Sequence, residues 1–209
     1  MSPGIITRGL ETGAVLTIGN AIAVVIRTSE DAPAARDRAV EERLRALTEK
    51  PDIIITRRAS GRPRLAPPYP ELGISMSRRG SLVLAGFSQN GRIGVDLEAD
   101  TPGLEPVMLA RDHFTPGEAQ MITALAGDTA RDAFLRLWVA KEAALKITGR
   151  GIYDGLHEPD CVADLDILMQ DGAVATRTAS LRLPAMRICV RRQSIAGSVM
   201  YCALAVEGA

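Results

Sequence analysis

Between Arg131 and Ile147 apolar residues recur at helical spacing, and charged ones stand among them. Taking 100° per residue from Phe134, the apolar arc holds Leu137, Trp138, Ala144 and Leu145, with Leu135 at its edge. Lys141 falls near the centre of that arc, and Glu142 lies between Trp138 and Leu135. A buried charge is costly unless it is paired or bound to an ion. The helix must therefore pack where something satisfies these side chains. Either Lys141 snorkels to a local acid, or the helix lines a site. Glu142 and Lys146 are also four residues apart, which on a solvated face would add only about 0.2–0.5 kcal/mol.

The remaining chain flanks this helix with strands. Ala14 to Ile26 reads as a strand pair turning at Gly19-Asn20 rather than a signal peptide, because Thr17, Gly19 and Asn20 interrupt it. Asp31-Ala32-Pro33 opens a helix to about Glu49, and residues 52–56 form a short strand. Residues 59–73, with four prolines and two glycines, read as an ordered loop or a crossing segment. Ser81–Ser88 and Ile93–Glu98 read as strands, and Gln89-Asn90-Gly91 predicts a hairpin between them. From Gly103 to Ile147 the pattern is helical. Thr115-Pro116-Gly117-Glu118 forms a capping box with proline at the first helical position, which by itself explains Glu118. Strands return at Val162–Met169, Ala173–Thr178, Met186–Val190 and Ser198–Val206. This order predicts an α+β fold of two small lobes in close contact.

Composition narrows the function classes. With 209 residues, 46% apolar, 24% charged and a net charge of zero, the chain is too apolar and too balanced for disorder. It lacks the basic excess of a dedicated nucleic-acid binder. Three cysteines without a CxxC, and only two histidines, argue against a disulfide scaffold or a structural zinc site. They fit a reducing compartment, and the expected location is cytoplasmic. No apolar run reaches 18 residues, so no membrane-spanning helix is expected. Of the 25 basic residues only Lys50, Lys141 and Lys146 are lysines. Six arginines (57, 58, 62, 64, 78 and 79) stand against one acid, Glu71, between Arg57 and Arg79. Arginine forks suit phosphate oxygens, although a solvated basic loop reads the same way.

Ile93-Gly94-Val95-Asp96-Leu97-Glu98 carries a second signal. On a strand, residues two apart share a face, so Asp96 and Glu98 present two carboxylates together while Val95 and Leu97 point to the core. Adjacent carboxylates repel unless a cation or a proton relieves them. Such a pair suits Mg²⁺, which takes one or two carboxylates plus phosphate oxygens; two solvated acids at a strand end would look the same.

Gly94-Val95-Asp96-Leu97-Glu98, followed by Trp138-Val139-Ala140-Lys141-Glu142-Ala143-Ala144-Leu145-Lys146, resembles the two signatures of the 4′-phosphopantetheinyl transferase superfamily. Gly149-Arg150-Gly151 is similar to the glycines after its second signature, and Phe114 with Glu118 to an element between the two. Gly61-Arg62-Pro63 resembles the family's Gly-x-Pro. Ser75-Met76-Ser77-Arg78-Arg79-Gly80 stands where the family has an Asn-x-Ser-His-Ser-Gly form, with Arg78 in place of the histidine that contacts a coenzyme A phosphate.

The resemblance implies the surfactin-synthetase type, a pseudo-dimer of two similar small α/β lobes fused in one chain. Residues 1–98 would form the N-terminal lobe and 99–209 the C-terminal lobe, with the active site and coenzyme A at their interface and no partner subunit needed, hence a monomer. It further implies transfer of phosphopantetheine from coenzyme A to a serine of an apo acyl or peptidyl carrier protein, releasing 3′,5′-ADP. Asp96, Glu98 and Glu142 would be the Mg²⁺ ligands, with Glu142 also helping to deprotonate the serine and Lys146 contacting phosphate. Lys141, Arg62 and Arg78 would bind the co-substrate, with Arg36 the surviving candidate for its 3′-phosphate. Trp138 would pack beneath the site, and His113 and His157 would be structural or surface residues. The altered Ser-Arg-Arg-Gly segment and the short first lobe motivate an alternative, a member that binds coenzyme A or a related nucleotide without transferring it.

Overall fold

A computed structural model describes residues 14–28, 32–149 and 156–208. In chain order the elements are β1 (Ala14–Ile18), β2 (Ala21–Arg27), α1 (Pro33–Thr48), β3 (Ile55–Arg57), β4 (Pro63–Leu65), β5 (Gly73–Arg79), β6 (Leu82–Ser88) and β7 (Ile93–Ala99). Next come α2 (Pro106–His113), α3 (Pro116–Ala124), α4 (Gly127–Thr148), a 3₁₀ turn (Val162–Asp164), α5 (Leu165–Leu168), β8 (Val174–Arg177), β9 (Met186–Ile195) and β10 (Ser198–Glu207). The α+β expectation holds. Two antiparallel four-stranded sheets run β1-β2-β6-β5 and β7-β10-β9-β8, and β3 pairs with β4 in a separate ribbon.

Period-two alternation explains how the layers stack. Ile22 and Val24 of β2, with Val83, Ala85 and Phe87 of β6, face Val40 and Leu44 of α1. Ala21, Ala23, Leu82 and Leu84 face the other way. They meet Ile93, Val95 and Leu97 of β7, and Met200, Cys202 and Leu204 of β10, in a core between the sheets. The opposite side of β10, with Tyr201, Ala203 and Ala205, packs on α4. The order is helix, sheet, sheet, helix, so β6 and β10 are covered on both faces. Two glycines permit the close approach: a Cβ at Gly86 would overlap Val95 Cγ1, and one at Gly94 would overlap the Ala143 carbonyl of α4.

Three expectations change. Gln89-Asn90-Gly91 is a turn, with Gly91 at φ +76, but it carries the chain from one sheet to the other instead of closing a hairpin. The reason is that β6 already has β2 and β5 on its two edges. The hairpin partner of β6 is β5, across the turn at Gly80 (φ +56). Residues 162–169 are helical rather than extended, because only Leu165 and Leu168, three apart, are buried there and Ile167 is exposed. The loop expected at 59–73 contains β4.

Candidate active site

β7 is the edge strand of the second sheet, and its free edge faces β5. Side chains satisfy it: Val95 N–H donates to Ser75 Oγ at 3.1 Å, and Lys146 Nζ donates to the Val95 carbonyl at 2.9 Å. Because Val95 and Leu97 point into the inter-sheet core, Asp96 and Glu98 must point outward, toward α4. Glu142 and Lys146, one turn apart on α4, meet them there. Lys146 Nζ lies 2.7 Å from Asp96 Oδ1, which also accepts from Ser77 Oγ at 2.8 Å. Asp96 Oδ2 is buried without any hydrogen-bond partner. Glu98 lies 3.4 Å from Arg79 Nε.

The acids repel one another. Burial above all, and then the Asp96 carboxylate, raise the Glu142 carboxyl from 4.5 to about 7, with Lys146 opposing. Glu98 is also held above the ordinary carboxylate value, first by burial and then by Asp96, with Arg79 opposing. Among the described residues, no three His, Cys, Asp or Glu side chains stand as a ready-made metal cage. Lys146 and Arg79 instead hold two of the acids.

Lys141 is placed differently from the expectation. It is fully buried and paired with Glu118, at 2.6 and 2.8 Å from its two carboxylate oxygens, and it also donates to the Pro159 carbonyl. An ammonium has three donors, and all are used inside the protein, which leaves none to contact phosphate. Glu118 accepts further from Thr115 N and Cys161 N. The capping box exists, and its glutamate doubles as the counter-ion of Lys141. Burial pushes the neighbouring Cys161 thiol up to about 11. Trp138 packs under this region, 5.6 Å from the Phe134 ring and 5.7 Å from His113.

Arg62 donates to the carbonyl of Lys146 at the end of α4. It lines a cleft of about 520 Å³ with Arg58, Arg64, Arg92, Glu71 and the 147–149 segment. Burial first, then the neighbouring cations Arg58 and Arg92, hold its guanidinium below its ordinary value. Lys146 thus joins cleft and acids, its backbone oxygen on Arg62 and its ammonium on Asp96. Arg78 and Arg79 are adjacent on β5 and leave it on opposite faces: Ile74 and Met76 alternate with Arg78 on the α1 side, whereas Ser75 and Ser77 alternate with Arg79. The guanidinium at the acids is therefore Arg79, while Arg78, expected at a phosphate, leaves on the α1 side of β5, a strand that the sequence reading does not place. Arg36 sits half-buried in the first turn of α1, on the far face of the first sheet. Arg150 and Gly151 lie outside the described residues.

A sequence profile of the 4′-phosphopantetheinyl transferase superfamily matches residues 92–187. The chain is 40% identical over 84 residues to the slr0495 protein of Synechocystis sp., covering 40% of this chain and 34% of that one. It is 34% identical over 94 residues to the 4′-phosphopantetheinyl transferase HetI of Nostoc sp., 44% and 40% of the two chains. It is 28% identical over 155 residues to the 4′-phosphopantetheinyl transferase psf-1 of Bacillus pumilus, 70% and 64%. The aligned stretches span a third to two-fifths of the first two relatives. The resemblance read from the two motifs is borne out over the segment that carries both, and the enzyme class it points to is that of the phosphopantetheinyl transferases. The profile begins at Arg92, after Gly61-Arg62-Pro63 and the Ser-Arg-Arg-Gly segment.

Proposed function

We propose that the chain transfers 4′-phosphopantetheine from coenzyme A to a serine of an apo carrier protein in fatty-acid, polyketide or peptide synthesis, releasing 3′,5′-ADP with Mg²⁺ bound. The observation that carries this is Asp96 Oδ2, a buried carboxylate oxygen with no partner. It stands among mutually repelling acids and is joined through Lys146 to an arginine-lined cleft. A buried polar atom without a partner is costly, and a hard cation is the ligand that a carboxylate oxygen of this kind fits. Asp96, Glu98 and Glu142 would hold Mg²⁺, which when bound supplies neutralising charge to the pyrophosphate. The cleft of Arg58, Arg62, Arg64 and Arg92 would take the nucleotide phosphates, and Lys146 would turn from Asp96 toward them. The serine oxygen would form its bond to the pantetheine-side phosphorus as the bond to the 3′,5′-ADP oxygen breaks. Glu142 would accept the serine proton.

The two-sheet architecture, each sheet with its own helix, supports the fused-lobe reading; β7, paired with β10, then goes with the second lobe. Helices α2 and α3 border a groove of about 680 Å³ edged by Arg111 and His157, a suitable bed for a carrier's acidic helix. The test incubates the protein with coenzyme A, Mg²⁺ and several apo carriers and reads intact masses. A phosphopantetheine adduct is expected; none on any carrier, with a known transferase succeeding in parallel, refutes transfer. The two acids already held by Lys146 and Arg79 favour the alternative of a coenzyme A binder. Tight calorimetric binding of coenzyme A alongside failed transfer would select it.

A further inference from the structure

Among the described residues, Arg79 is the charged group at the acid cluster that the proposed reaction leaves unused. It extends from the end of β5 on the same face as Ser75 and Ser77, and its Nε stands 3.4 Å from Glu98 Oε2. Lys146 holds Asp96 in the same manner from α4, at 2.7 Å. Two of the three acids therefore carry a cation tethered to the chain. The two cations differ in freedom. Lys146 makes a second bond, to the Val95 carbonyl, and would leave Asp96 only in exchange for phosphate. Arg79 sits beside the Gly80 turn with its side chain 46% exposed, so water is available for it to swing into.

We infer that Arg79 is a tethered counter-ion of the acid cluster that competes with a divalent cation for Glu98 and so limits how tightly the nucleotide-free site takes metal. The inference rests on the metal-site reading above. Arg79 stands on Oε2, one of the two oxygens with which Glu98 could coordinate a cation, and the cation's two charges turn the attraction into repulsion. An arginine side chain keeps its charge, so the competition lasts wherever Glu98 is ionised. An arriving pyrophosphate offers the displaced guanidinium a new anion. Metal and nucleotide would then each favour the other's binding, with reciprocal coupling.

The test is a calorimetric titration of the nucleotide-free protein with Mn²⁺, comparing wild type, Arg79→Ser, Arg79→Lys and Arg78→Ser, with thermal melts to show that each is folded. Arg79→Ser should bind Mn²⁺ about two- to fivefold more tightly, the range expected from losing one half-exposed ion-pair partner. Arg79→Lys should stay near wild type and Arg78→Ser should not change. Unchanged or weaker Mn²⁺ binding in Arg79→Ser, or equal tightening in Arg78→Ser, overturns the inference while leaving the metal site standing. No binding by either wild type or Arg79→Ser overturns both.

Discussion

Replacing Glu142 with glutamine should stabilise the metal-free protein at alkaline pH and do nothing for it in acid. The folded protein holds the Glu142 carboxyl at about 7 instead of 4.5, because burial and Asp96 both disfavour its charge. A folded value above the unfolded one means that the fold favours the neutral form. Its contribution is fully present below about pH 4.5 and is lost as pH rises through about 7. At 1.36 kcal/mol per pH unit the full difference is about 3 kcal/mol, and water at the mouth of the site screens it to about 2 kcal/mol. For a chain of this length that corresponds to a melting temperature about 4–8 °C above wild type at pH 8. At pH 4.5 or below the two proteins should melt together, because Glu142 is then neutral like glutamine. The assay is thermal denaturation in chelator at the two pH values. Equal stability at pH 8, or an advantage that persists unchanged in acid, would refute the argument that ionised Glu142 is held against the repulsion of its neighbours. Adding Mg²⁺ at pH 8 should then raise the wild type more than Glu142→Gln, since the ion relieves a repulsion that the variant no longer has.

Lys141→Met leaves Glu118 charged and buried without its cation, and should cost about 3–5 kcal/mol in urea unfolding. The double variant Lys141→Met, Glu118→Gln should recover part of that loss, because the buried charge is gone and the single amide oxygen keeps one of the two backbone bonds that Glu118 accepts, from Thr115 and Cys161 on its separate oxygens; no recovery would mean the pair is not an isolated charge balance. Arg62→Ala should weaken coenzyme A or 3′,5′-ADP binding about tenfold by calorimetry, the worth of one charged hydrogen bond. The loss should shrink at high salt as the arginine cleft is screened.

Much of this was legible in the sequence wherever periodicity was strong. Alternation at Val95 to Glu98 located the acids on one face of a strand, and the 3.6-residue period of α4 brought Glu142 and Lys146 to the same side as each other. The hairpin at Gln89-Asn90-Gly91 was misread because a turn signal fixes a local reversal, not the sheet that the next strand joins. That depends on which edges of β6 are free, a non-local fact. Residues 162–169 misled because short apolar runs carry no distinguishing period. The motif position singles out Arg78, and only the strand at Gly73–Arg79, which follows a proline-rich stretch, sets Ser75, Ser77 and Arg79 on one face.

The helix itself explains why two lysines five residues apart have opposite uses. Five residues at 100° each turn the side chain by 500°, which leaves Lys141 and Lys146 about 140° apart around α4. One of them must then face away from β7 if the other faces it. Lys146 looks onto β7, where its ammonium bridges the Val95 carbonyl and Asp96 and remains partly open to a ligand. Lys141 looks toward α3 and the 159–161 segment, where Glu118 closes around it and no ligand can reach. Glu142, next to Lys141 in sequence, lies about 40° from Lys146 on the helix and so shares the β7 face. The buried, fully bonded Lys141 is one of the contacts, with the apolar face of α4 on β10, that hold the helix at the rotation at which Glu142 and Lys146 face Asp96. Loss of the Lys141–Glu118 pair should therefore register first in stability and, through the aim of Glu142, in whatever the acid cluster binds.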